Sequence, residues 1–239
     1  MGGVNLATLA WRNLWRNRRR TIITLSGYAF GVMLAVIFIG LGDDSYGKMI
    51  DMAARNGAGH VTIQHAEYLD TPSLKKTVDD VTRLRARAQE AEEVVTVTTR
   101  ITGPAMLATA RKSYGAFFVA LDPAQETPET FGLLSSLREG ALFTGADDEG
   151  VILGATLAEN LHAGLGRKVV YTMTDKSGEM TSGMARVSGI IETGDDGLDA
   201  AFFMLPLGRA RAQLGYGADE AGQIAVFVGE QRGSEAIAA

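Results

Sequence analysis

Cysteine is absent from the 239-residue chain, which excludes disulfides, thiolate zinc sites and cysteine nucleophiles together. A basic excess is absent too. The 23 Lys and Arg against 28 Asp and Glu leave a net charge of −5, so no nucleic-acid partner is expected. No G-x-x-x-x-G-K-[ST] string occurs, and the nearest run, Gly164-Leu165-Gly166-Arg167-Lys168, has the wrong spacing to cradle nucleotide phosphates. His60 and His65 stand at an odd offset in a strand-like segment, which points them to opposite faces and argues against a histidine metal site. Ser73-Leu74-Lys75-Lys76 matches the S-x-x-K pattern of serine acylases, but the accompanying S-D-N and K-T-G elements are missing. Ser73 is expected instead to cap the helix that follows. Gly194–Asp199 is acidic without the spacing of a calcium loop and reads as a solvated hairpin turn. The sequence thus presents no catalytic, cofactor-binding or metal-ligating constellation, and the reading is that of a non-enzyme without cofactors.

What is present is strongly segregated. Residues 1–42 hold five arginines and no acid, so residues 43–239 carry −10 against −5 for the whole chain. Between the two lies Thr21–Gly42, 22 residues without a charge. As a helix this stretch is about 33 Å long, enough for a hydrocarbon core of about 30 Å. It is too long for the apolar region of a signal peptide and lacks a good small-x-small cleavage site, so an uncleaved transmembrane helix is expected. Arginines before it and Asp43 and Asp44 after it predict a cytoplasmic N-terminus and an extracytoplasmic remainder. Upstream, Val4–Arg20 reads as a cytoplasmic amphipathic helix at the membrane surface. Its Trp11 and Trp15 suit the headgroup level, and Arg12, Arg16, Arg18, Arg19 and Arg20 suit anionic lipid. Within the span, Gly27, Gly31 and Ala35 form a line of small residues that would let another helix approach closely.

Beyond Asp43 the pattern is α+β, and 46% apolar residues suffice for a core. The helix is expected to continue through Met49–Ala54 and to end near Gly57 and Gly59. His60–His65 alternates like a strand. Val78, Val81, Leu84, Ala88 and Ala91 mark one amphipathic helix over about 75–92. Strands are expected at Val94–Ile101, Ala105–Lys112, Gly115–Leu121, Val151–Leu153, Lys168–Thr174, Met184–Glu192, Ala201–Leu205 and Ile224–Val228. Helices are expected at Ala155–His162 and Pro206–Leu214, with a short one near Phe131–Leu137 in an otherwise loop-like 124–150. Residues 231–239 read as a tail or linker.

Several of these runs resemble those of MacB/FtsX-type ABC-transporter permeases. They are the basic head Leu9–Thr21 running into a first membrane helix, the strand Gly59-His60-Val61-Thr62-Ile63-Gln64, and Val119-Ala120-Leu121-Asp122-Pro123, with Ala120 where the family usually has glycine. Gly150–Ala158 and Val187-Ser188-Gly189-Ile190-Ile191 follow in the family's order. The head and the first strand look most like the lipoprotein-releasing LolC/LolE branch, with the macrolide exporters as runner-up. The resemblance implies one membrane helix followed by a two-lobed external domain (porter plus sabre) over 43–230, the second lobe at roughly 124–205. It implies partners as well: an ABC ATPase subunit, the remaining permease helices or a second permease subunit, membrane lipid, and a lipoprotein or other amphiphilic cargo. On this reading the chain is the N-terminal half of such a permease in the inner membrane, with ATP hydrolysis on a separate subunit. The alternative of a different class is a membrane-anchored interaction module that controls extracytoplasmic partners.

Overall fold

The computed structural model describes Trp11, Arg16 and residues 18–57 and 59–229. They fall into two units divided between Ile50 and Asp51. The first is built on helix α1 (Arg18–Asn56), 39 residues long, whose segment Arg18–Gly40 is long and apolar enough to cross a membrane. None of this segment is covered: Ile22, Phe30 and Phe38 are 59%, 58% and 70% exposed. So continuous an apolar surface suits hydrocarbon rather than water.

The second unit begins with the last turns of α1, in which Ala54 is buried. Gly59 then turns the chain at φ 83°, where a Cβ would stand 2.9 Å from the backbone of Val226, so a side chain there would collide. Strand β1 (Val61–Gln64) follows, then helix α2 (Val81–Gln89), β2 (Val94–Ala108) and β3 (Ser113–Leu121). A 3-10 turn (Gly132–Ser136) leads into β4 (Leu137–Gly140) and β5 (Gly150–Gly154). The chain continues through α3 (Ala155–Leu161), β6 (Lys168–Thr174) and β7 (Met180–Ile191). It closes with α4 (Asp196–Ala201), β8 (Phe202–Pro206), α5 (Leu207–Leu214) and β9 (Gln223–Val228).

The strands pair in the order β1-β9-β2-β3-β8-β5-β7-β4, and β6 pairs with both β2 and β7. The pairings β2-β3-β8-β5-β7-β6 therefore return to β2 and close a six-stranded circuit, with β3–β8 and β5–β7 parallel and the rest antiparallel. Alternation sorts the side chains. Phe118, Leu153, Phe203 and Leu205 join Tyr171 in the larger apolar cluster, while their neighbours Leu121, Ile152, Phe202 and Met204 join a second. Phe131, Leu134 and Phe143, from the segment between β3 and β5, cover that second cluster. Tyr171 packs so closely on its cross-strand partner Gly183 that a Cβ there would come within 2.3 Å of the ring.

Four expectations are corrected. The strands expected at Val94–Ile101 and Ala105–Lys112 are one, β2, which runs through Gly103-Pro104. On that flank β9 pairs only as far as Arg100 and β6 starts at Met106, so the proline lies in a gap between partner strands. The helix expected over 75–92 is confined to 81–89, since Val78 instead bridges to Ala221. Ser73 does not cap it: its hydroxyl accepts from the Lys75 N–H at 3.2 Å, and α2 starts after Asp80. The acidic run 194–199 is not a hairpin turn but the start of α4. Asp195 caps it by accepting from the N–H groups of Gly197 and Leu198, and Asp199 is buried. There Asp199 accepts from the Thr193 hydroxyl at 2.7 Å.

Candidate functional site

The line of small residues expected to pack on another helix, Gly27, Gly31 and Ala35, lies on α1. A Cβ built on Gly27 or on Gly31 meets nothing within 4 Å, as everywhere along this uncovered segment. With Ala35, Ile23 and Tyr28 the two glycines line a shallow groove along the helix. Arg16, Arg18, Arg19 and Arg20 are helical and exposed just before the apolar segment, as is Trp11. Arg12 and Trp15, and with them most of the amphipathic helix expected over Val4–Arg20, lie outside the described residues. The tail expected at 231–239 lies outside them too.

A second feature had not been singled out in the sequence. Where the chain leaves α1, the carbonyl of Gly57 accepts a hydrogen bond from Nη1 of Arg100 in β2. Arg100 is fully buried and pairs in two-pronged fashion with Glu126, Nε to Oε1 at 2.6 Å and Nη2 to Oε2 at 2.9 Å. Nη2 also donates to the Thr130 carbonyl at 2.8 Å, and the Thr130 hydroxyl donates to Glu126 Oε2 at 2.7 Å. The rings of Phe131 and Phe227 lie 4.8 and 5.6 Å from the guanidinium carbon. Burying both charges costs solvation. The fork geometry, two carbonyls and two aromatic faces offset that cost. An arginine in an otherwise apolar-rich strand was the available signal, but its partners lie 26 and 43 residues away, too far for spacing arguments.

A second polar knot involves Glu220. Its carboxylate accepts from the Lys176 ammonium, the Thr77 hydroxyl and the Gly217 N–H. Burial pushes this carboxyl up, but the three donors outweigh it and hold it below the ordinary glutamate range. Burial raises the Tyr216 phenol, which donates to the Leu74 carbonyl. None of these knots offers a nucleophile beside a base. They anchor loops and the exit of α1.

The family model described as MacB-like periplasmic core domain matches residues 21–239. A macrolide export ATP-binding/permease protein MacB from Nitrobacter winogradskyi is 26% identical over 238 residues, covering 94% of this chain. This chain spans about a third of that relative, 34% of its length. Among solved structures, the extracellular domain of the noncanonical ABC-type transporter YknZ from Gram-positive bacteria aligns with TM-score 0.51 and 13% identity. That alignment covers 74% of this chain and 88% of the other. The periplasmic region of MacB from Actinobacillus actinomycetemcomitans aligns with TM-score 0.50 and 17% identity, over 74% of this chain and 78% of the other. At those identities the two structures speak for the α+β fold, and the family match over nearly the whole chain speaks for descent. The chain belongs to the MacB-like periplasmic core domain family.

Proposed function

We propose that this chain is the N-terminal part of an ABC-transporter permease that couples ATP hydrolysis to the release or export of an amphiphile. The observation that carries the reading is the family match over 21–239 on a chain whose candidate membrane span and first domain residues share one helix. The small-residue line Gly27, Gly31 and Ala35 would pack on a further permease helix. The buried Arg100–Glu126 pair would tie the exit of α1 to the sheet. We retain lipoprotein release of the LolC/LolE kind as the favoured cargo class, on the strength of the basic head and the strand after Gly59. Macrolide export is the second reading, favoured by the name of the Nitrobacter relative. That relative's name joins ATP-binding and permease parts in one protein, so the ATPase partner here is either a separate subunit or a further domain.

The membrane helix would lie in the inner membrane with the N-terminus cytoplasmic and residues 43–230 outside, the second lobe beginning near 124. Co-purification tests the function: the chain, expressed with the genes beside its own, should bring down an ATPase. A preparation free of any ATPase would leave the anchored interaction module as the better account. Topology is tested with single cysteines at Asp70 and Glu179, both exposed. They should react with an impermeant thiol reagent on spheroplasts, and protection of both until lysis would reverse the orientation.

A further inference from the structure

The outer side of the six-stranded circuit is covered at one place and bare at another. The segment between β3 and β5 covers β5, β8 and the stretches of β2, β3 and β7 around Arg100, Leu121 and Ile191, but further along β2, β3, β6 and β7 large apolar side chains stand exposed. Met106, Phe117, Val170 and Met184 are 51%, 59%, 40% and 52% exposed there. Register joins them into one patch: Pro104 faces Phe117, Ala108 faces Val170, and Val170 faces Met184. Two residues along from Val170 and Met184, about 7 Å away, the paired residues are Lys168 and Arg186.

Lys168 and Arg186 open into a cleft of about 600 Å³, to which Arg111 and Arg167 also contribute, and no Asp or Glu lines it. Three separate elements fix these cations. The β2–β3 turn carrying Arg111 is held by a hydrogen bond from the Thr109 hydroxyl to the Leu161 carbonyl at 3.2 Å. The loop before β6 is tied to β7 by Gly166 N–H to Val187 O at 2.8 Å, and Arg186 reaches back to the Gly166 carbonyl at 3.0 Å. None of the four cations forms an ion pair among the described residues. In a chain of net charge −5, four like charges gathered without a counter-ion repel one another, and a bound anion relieves this.

We propose that the cleft and the adjoining sheet face form one binding site for an anionic single-chain amphiphile. The phosphate or carboxylate head sits among Arg111, Lys168 and Arg186, and the chain lies along Val170, Met184 and Met106. Charge complementarity selects this occupant over an uncharged apolar one. The two methionines give a surface that adapts to a flexible chain. The site deepens the permease reading and rests on it for cargo being amphiphilic; co-purification with an ATPase tests that reading by a separate readout.

The test uses the full chain in phosphatidylcholine nanodiscs and dodecyl phosphate carrying a terminal diazirine. Photolabel should fall on peptides of β2 and β7. It should drop at least tenfold in the double variant Arg111→Glu, Lys168→Glu and at least fivefold in Met184→Ser, with melting temperatures unchanged, since these side chains are exposed. The same diazirine chain on a maltoside head should label the face weakly. Equal labelling by the maltoside, or labelling unaffected by the charge reversals, would show a merely apolar surface and overturn the proposal. So would competition by inorganic phosphate at the same concentration as the probe, which would reduce the cleft to a simple anion site. Label confined to Arg18–Gly40 would overturn it as well.

Discussion

Arg100 is the residue whose removal the domain should tolerate least. Replacing it with alanine strands Glu126 without its partner in a place water does not reach. A loss of about 3–5 kcal/mol is expected, measured as a shift in the urea midpoint of the full chain in detergent. Arg100→Met with Glu126→Leu, which removes both charges, should recover part of it. Glu220 makes a pH-dependent contribution of definite sign. Its folded value lies below the ordinary one, so its stabilisation is present above the unfolded glutamate value near pH ~4.3 and is lost as pH falls through the lower folded value. The melting temperature of Glu220→Gln should therefore trail wild type at pH 7, and the gap should close in acid. A gap that stays constant down to the acid limb would mean that the carboxylate's charge contributes nothing.

At the scale of elements, α1 presents a test of its small-residue line. If the proposed permease helix packs there, Gly31→Leu should weaken recovery of that complex while leaving insertion intact, and Met33→Leu should do little. Equal recovery of both variants by crosslinking would reduce the helix to an anchor. Asp195→Ala should cost about 1 kcal/mol through the lost cap of α4, read from the domain's denaturation midpoint. That cap shows what was legible in the sequence and what was not. Lys168–Thr174 was read with its observed ends, and the helix read as Pro206–Leu214 starts one residue later, at Leu207, with Pro206 as its cap. Asp195 with Asp196 and Asp199 in the first turn was an equally available helix start, passed over because acidity suggested solvent. Val78 keeps helical spacing with Val81 by coincidence, its partner being Ala221 across a bridge, and no periodicity reveals a distant partner. The cationic cleft was hidden for the same reason. Arg111 and Arg186 are 75 positions apart in the chain and meet only because β6 joins β2 to β7.

For the whole molecule, residues 51–229 hold their own closed circuit of strands and both apolar clusters. Removal of residues 1–50 should leave a domain that melts cooperatively by circular dichroism, and a featureless melt with aggregation would show that it depends on the helix. The pairing path has two ends, β1 and β4, each four residues long. Strands so short present only a few backbone donors and acceptors, too few to template the addition of a foreign strand. Copies of this domain crowded in one membrane should accordingly resist zipping edge to edge into aggregates. Whatever docks on the domain has to recognise its side chains, so its choice of partner can evolve residue by residue while the fold stays as it is.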